Sequence, residues 1–344
     1  MTFNLRRMAG VSGGLLAAQV CKAGALGFIA AGHFQDLSKL EAEIKLFIDI
    51  VERSSGADCN ARPCIRPSIG FIGHSSLSSP KHWENYEYIL EKYSPMAVQF
   101  FAPSIITRQD GTSNVDLAHK YGAKFIAQVG SVKHAKEAIQ HKVDAIICQG
   151  SEAGGHGLRR ELANSAMALS SQCKQLFQDI PILAAGAIVN GQHLASALCI
   201  CDGAVIGTRL WASHESMGDK ILQRELTKEN SCDDVVKTAV FDQIENEFKD
   251  FRWPYPFDAS GVLRNRTTDE WEGRTSEDLD GALQKTDLFH TYKTAINTHN
   301  PEIITVYAGE GVGQIARIDH AYDLILQMER EAIDTIKRLQ VIIN

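Results

Sequence analysis

Long basic runs are missing from this 344-residue chain: no stretch of Lys or Arg exceeds two residues, and the formal net charge is −7. A nucleic-acid binder would carry a basic stripe, and a polybasic membrane anchor a cluster of cations, so neither partner is expected. Long apolar runs are missing as well. Residues 1–35 contain no Asp or Glu, but Gln19 and Lys22 interrupt the apolar stretch there, and Gly10, Gly13, Gly14, Gly24 and Gly27 break it. That argues against a membrane span, a signal peptide or an amphipathic transit helix. The eight cysteines do not form a disulfide framework in a chain this long, and Cys199-Ile200-Cys201 lacks the second pair of a zinc ribbon. No metal site is expected. Neither a Walker A sequence, nor His-Glu-x-x-His, nor Gly-x-Gly-x-x-Gly followed by an acid occurs, so NTPase, zinc-protease and dinucleotide-binding readings fall away. What remains, 44% hydrophobic and 22% charged, suits a globular cytoplasmic protein.

A short apolar run followed by a helical stretch recurs along the chain. The runs are Leu26–Ala30, Ser68–Ile72, Met96–Phe101, Lys124–Val129, Asp144–Cys148, Ile180–Ala184 and Asp202–Ile206. Each is too short for a helix and apolar on both parities, as a parallel strand covered on both sides requires. Between them lie helical patterns such as Leu37–Glu52, Trp83–Lys92, Val132–Gln140 and Asn164–Leu176. Phe3–Leu5 would make a short, poor first strand. Eight βα units give an α/β fold of the (β/α)₈ TIM-barrel type, with an open doubly wound sheet as the other architecture of this pattern. A first strand this weak, followed by Arg6-Arg7, leads us to expect a longer apolar strand upstream. From Ala212 the texture changes to charged helical segments, Gly218–Glu229 and Asp233–Val240, then to aromatic and Pro-rich loops. The division expected is 1–211 for the barrel, 212–300 for a small, mainly helical domain inserted after strand eight, and 301–344 for a return to the barrel.

Chemistry concentrates where strands end. Gln149-Gly150-Ser151-Glu152-Ala153-Gly154-Gly155-His156-Gly157 follows the run Asp144–Cys148, on the face where barrels place active sites. Its glycines let backbone approach a flat or anionic ligand, and His156 supplies an imidazole that can give or take a proton. Ala185-Gly186-Ala187 and Ile206-Gly207-Thr208 end the next two runs, and glycine turns after strands seven and eight commonly hold a phosphate.

The segment Gln149–Gly157 resembles the signature of the nitronate monooxygenases, formerly 2-nitropropane dioxygenases. Met8–Gly14, Ala25–Ile29, Gln128–Ser131, Ala184–Gly186, Asp202–Arg209 and Ala308–Gly313 are similar to family segments in the same order, and Trp253-Pro254, Leu263–Arg266 and Trp271 resemble fungal-type members. The resemblance implies an FMN-binding barrel that oxidises nitronates, propionate 3-nitronate among them, or nitroalkanes, using dioxygen. It further implies Gln149, Gly154, Gly186, Val205, Ile206, Gly207 and Thr208 as FMN contacts, with His156 facing the substrate as base for neutral nitroalkanes. A homodimer is left open. Two departures stand out. Leu5-Arg6-Arg7 replaces the strand that usually leads into Met-Ala-Gly, and Gly70–Gly73 stands where many bacterial members carry an Asn. Both bear on flavin affinity. The other readings are an FMN-dependent NAD(P)H:quinone or enoyl-thioester reductase of the same barrel, and a flavin-depleted, non-catalytic paralogue.

Overall fold

A computed structural model describes residues 2–5, 10–32, 36–55, 66–248, 252–285 and 288–343. Among the described residues eleven strands are formed: β1 (Thr2–Leu5), β2 (Phe28–Ala30), β3 (Ser68–Ile72), β4 (Ala97–Phe101), β5 (Lys124–Val129), β6 (Ala145–Gln149), β7 (Gly155–Gly157), β8 (Ile182–Ala185), β9 (Gly203–Ile206), β10 (Val235–Thr238) and β11 (Ala259–Leu263). Eight of them make one parallel sheet in the order β1-β9-β8-β6-β5-β4-β3-β2. This is the cyclic order of a TIM barrel, written from one seam. The seven expected apolar runs all form strands, and β1, expected to be poor, is four residues long like β8 and β9 and longer than β2, pairing Phe3 with Ala204 and Leu5 with Ile206. Arg6 and Arg7 lie outside the described residues.

Period-2 alternation sorts the runs into two cores. Phe28, Ala97, Ile126, Ala145, Ile147, Leu183, Ala185 and Val205 pack together in the barrel interior. The opposite parity, such as Val98, Phe100, Phe125, Ala127, Ile146 and Ile206, packs outward under the helices. Both faces are buried, so the runs had to be apolar throughout. Turn chemistry sets the helix starts: Ser131, Ser165 and Asn190 accept the third backbone N–H of Val132–Gln140, Ala166–Leu176 and Gly191–Leu198. The last helix, Ala321–Ile343, lies against Gly191–Leu198, where Glu331 accepts from the Gly191 N–H at 2.9 Å.

Beyond Trp211 a second apolar cluster forms around Val236, Phe241, Ile244, Val262, Trp271, Tyr292 and Ile303. One expectation fails here. Asp233–Val240 reads as helical, but Val235–Thr238 is strand β10. Three of its four residues are β-branched, which favours the pleated state, and the strand finds a partner in β11. β11 pairs on its other edge with β7, giving the antiparallel order β10-β11-β7. The glycine–histidine segment of the barrel is thus an edge strand of a sheet otherwise made by the region beyond Trp211.

Candidate active site

At the C-terminal ends of β8 and β9 lies a cleft of about 270 Å³, open to solvent, that Gly154, Gly186, Val205, Gly207, Thr208 and Gly309 help to line. Five of the eight residues expected to form the site therefore meet in one place. Gly186 has φ of +147° and Ala187 of +52°, so the chain leaves β8 through left-handed backbone that a larger residue at 186 would strain. Gly154 is needed for a different reason. A Cβ there would stand 2.5 Å from the backbone of Ala308 and Gly309, so the glycine lets two loops close on each other. Backbone hydrogen bonds hold that closure: Glu310 N–H donates to Glu152 O at 3.0 Å, and Ala308 N–H to Gly261 O at 3.1 Å.

Thr208 Oγ1 accepts from Gly309 N–H at 3.0 Å, which leaves its hydroxyl hydrogen to donate. Ile206 is different. Its side chain is fully buried in the outward, helix-covered layer, so only its backbone can meet a ligand. Glu152 does structural work: Oε1 accepts from Ala166 N–H at 2.9 Å and caps the helix Ala166–Leu176. Burial, and then the neighbouring Glu152, raise the Glu310 carboxyl above its usual range. Gly10-Val11-Ser12-Gly13-Gly14 has the spacing of a nucleophile elbow. Ser12 is nevertheless wholly buried and donates to Phe28 O at 2.6 Å, which rules it out as a nucleophile.

Gln149 belongs to a row across the mouth of the barrel. Its Nε2 donates to His156 O at 2.7 Å, its Oε1 accepts from Gln128 Nε2 at 2.7 Å, and Gln128 Oε1 accepts from Gln99 Nε2 at 2.6 Å. A carbonyl can only accept, so the His156 end fixes the orientation of all three amides. All three side chains are buried, and Gln99 Oε1 has no partner among the described residues. Gln99 and Gln128 escaped the sequence reading, although a glutamine on the inward parity of adjacent strands was a visible signal.

His156, on β7, is the centre of a side-chain cluster. Its Nε2 lies 2.8 and 3.0 Å from the two oxygens of Asp242, on the helix Val240–Glu245. The Trp253 ring stacks on the imidazole at 3.8 Å and 10°, and the Tyr307 ring is 5.7 Å away. Burial pushes the Tyr307 phenol well above its ordinary range and keeps it neutral. Lys237, on β10, donates to Gly155 O at 3.1 Å. Trp253 also packs near Phe101, and Phe257 of the same loop makes an edge-to-face contact with Phe101. Arg159 anchors that loop with a bidentate pair to Asp258, at 2.9 and 2.6 Å. Asp242, Lys237, Trp253 and Tyr307 were not legible as site residues, because nothing local marks them as neighbours of residue 156.

The residues fit FMN. Backbone at two strand ends and a free hydroxyl hydrogen suit a single phosphate. The glutamine row, with an orphaned buried carbonyl, suits a flat polar ring, for which Gln149 is the nearest row member to the histidine. The family model of nitronate monooxygenase matches residues 96–331. A nitronate monooxygenase of Metarhizium robertsii is 30% identical over 92% of this chain and 87% of its own length. One of Neurospora crassa is 25% identical over 96% and 88%. The nitroalkane oxidase of Streptomyces ansochromogenes superposes with a TM-score of 0.74 at 21% identity, covering 98% of this chain and 97% of its own. FabK of Thermotoga maritima does so at 0.70 and 22%, covering 98% and 94%. At such identities the two superpositions speak to the fold.

Proposed function

The chain belongs to the nitronate monooxygenase family, a family of oxidoreductases, and on that premise we propose that it is an FMN enzyme that oxidises nitronates or nitroalkanes with dioxygen. The observation that carries the proposal is the meeting of Gly154, Gly186, Val205, Gly207 and Thr208 at one cleft, two residues along the chain from His156. Bound there, FMN would supply the electron transfer to oxygen that no side chain can provide. The protein's own part is positioning. Backbone at Gly186 and Gly207, with the Thr208 hydroxyl, would hold the phosphate, Val205 and Ile206 backbone would line its approach, and Gln149 would present its amide to the ring. His156 would take the proton of a neutral nitroalkane, or as a cation hold a nitronate anion. On this reading the division is a barrel within 1–211, a substrate-side region within 212–300 to whose sheet the barrel lends β7, and a return segment within 301–344. Among the described residues no helix is long and apolar enough to cross a membrane.

The test is an absorbance spectrum from about 300 to 550 nm, identification of the flavin released on denaturation, and oxygen consumption with propionate 3-nitronate. Release of FMN and nitronate-dependent oxygen uptake are expected. Flavin reduction by NADH without nitronate turnover would instead place the chain with the enoyl-thioester or quinone reductases. A colourless protein would make it a flavin-depleted paralogue.

A further inference from the structure

The His156 ring is held from outside the barrel. Asp242 offers both oxygens to Nε2, at 2.8 and 3.0 Å, while its own helix buries Phe241 and Ile244 on either side. An ionised carboxylate only accepts, so the proton in that contact resides on Nε2. A neutral ring then keeps its lone pair on Nδ1, which makes no hydrogen bond among the described residues. Trp253, stacked at 3.8 Å, holds the ring plane. The other ionisable groups facing this ring are Lys237, bonded to Gly155 O, and the neutral Tyr307, with Glu245 one turn along from Asp242 on the same helix and acting with it on Tyr307. None of these is bonded to the imidazole.

We propose that Asp242 is a positioning residue that fixes His156 as the Nε2–H tautomer, so that Nδ1 is the atom that takes the substrate proton. This rests on the reading of His156 as the base. In the step, the C–H bond beside the nitro group breaks and its electron pair moves into the nitro group, giving the nitronate. The proton passes to Nδ1. The imidazolium so formed keeps its Nε2–H on Asp242, whose charge balances the new cation at no cost in rearrangement. A substrate already supplied as the nitronate has no such proton to lose, and a cationic ring holding it carries protons on both nitrogens, so the tautomer of the neutral ring matters little to it.

The tautomer is read directly from the imidazole ¹⁵N shifts of histidine-labelled protein, with the His156 signals assigned by their loss in His156→Asn. A protonated Nε2 and a bare Nδ1 are expected in the neutral wild-type ring. Asp242→Glu should keep that state, and Asp242→Ala and Asp242→Asn should lose it. A wild-type ring protonated on Nδ1, or an Nε2–H form that persists in Asp242→Ala, overturns the proposal whatever the activity. Kinetics separate it from the reading beneath it. Asp242→Ala should lower kcat on a neutral nitroalkane by about 10²-fold, within the ~10²–10⁴-fold that a placed base contributes, with KM nearly unchanged. Turnover of a pre-formed nitronate should fall by less than about threefold. The double variant His156→Asn/Asp242→Ala should be no slower than His156→Asn alone, because both act through one group. Wild-type kcat in Asp242→Ala beside an impaired His156→Asn overturns the role of Asp242 and spares that of His156. An unimpaired His156→Asn overturns the base itself, and the ¹⁵N shifts then still decide whether Asp242 sets the tautomer. Flavin content and melting temperature accompany every variant, and Asp242→Asn, nearly isosteric, stands in should Asp242→Ala fail to fold.

Discussion

At the cleft the chain offers a ligand backbone and one hydroxyl, drawn from the ends of two neighbouring strands and two loops. At His156 it offers side chains from residues 156, 242, 253 and 307, brought together across as many as 151 residues of sequence (307 − 156). The first end tolerates few residue types because space and φ are restrictive. The second tolerates many backbones but few side chains, because its hydrogen bond and stacking geometry depend on what each side chain is. The two ends should therefore fail separately when changed, one in what is bound and the other in how fast it reacts.

The largest expected effect is at the side-chain end. His156→Asn should lower turnover of a neutral nitroalkane by ~10²–10⁴-fold while flavin content stays at the wild-type level. Loss of flavin in that variant would mean that the two ends are one unit, and unchanged turnover would remove His156 from the chemistry. Next comes the backbone end: Thr208→Glu sets a carboxylate against the phosphate and should reduce FMN occupancy by about tenfold or more, each 1.4 kcal/mol being worth about a factor of ten. Full occupancy in Thr208→Glu would place the phosphate elsewhere.

Gly154→Ala probes the seam between the ends. Its Cβ would press on the Ala308–Gly309 backbone at 2.5 Å, and backbone cannot rotate away as a side chain can. A destabilisation of about 1–3 kcal/mol, the usual range for overpacking, should appear as a lower melting temperature. A melting temperature equal to wild type would show that the two loops can part freely. The smallest effect is expected from Gln99→Leu. It removes one amide bond to Gln128 but also a buried carbonyl that has no partner among the described residues, so stability should change by less than about 1 kcal/mol. A loss above about 3 kcal/mol would mean that Gln99 Oε1 meets a donor in the working enzyme.

Much of the barrel was legible because its signal is local. Ser68–Ile72 and Lys124–Val129 coincide with their apolar runs end to end, and the others lie within two residues at each end. An apolar run bounded by turn residues cannot be solvated cheaply and is too short for a helix, which leaves a covered strand. The glycine turns were legible for the same reason, since each sits directly after its strand. β10 was misread because Val235–Thr238 follows Asp233-Asp234 and contains Lys237, and charge at short range resembles an amphipathic helix until β11 is present to pair with it.

The sequence alone determined the order of the barrel's eight strands, the strand ends that gather at the cleft and the presence of a histidine among close-packed glycines. Those follow from residue volume, backbone freedom and period, which act over a few neighbours. Only the tertiary structure decided that β7 leaves the barrel to pair with β11, that Ile206 turns its side chain away from the cleft, and that Asp242 and Trp253 grip the His156 ring. A hydrogen bond between residues 86 apart depends on angstrom-scale placement by every element between them, and no short stretch of sequence holds that information.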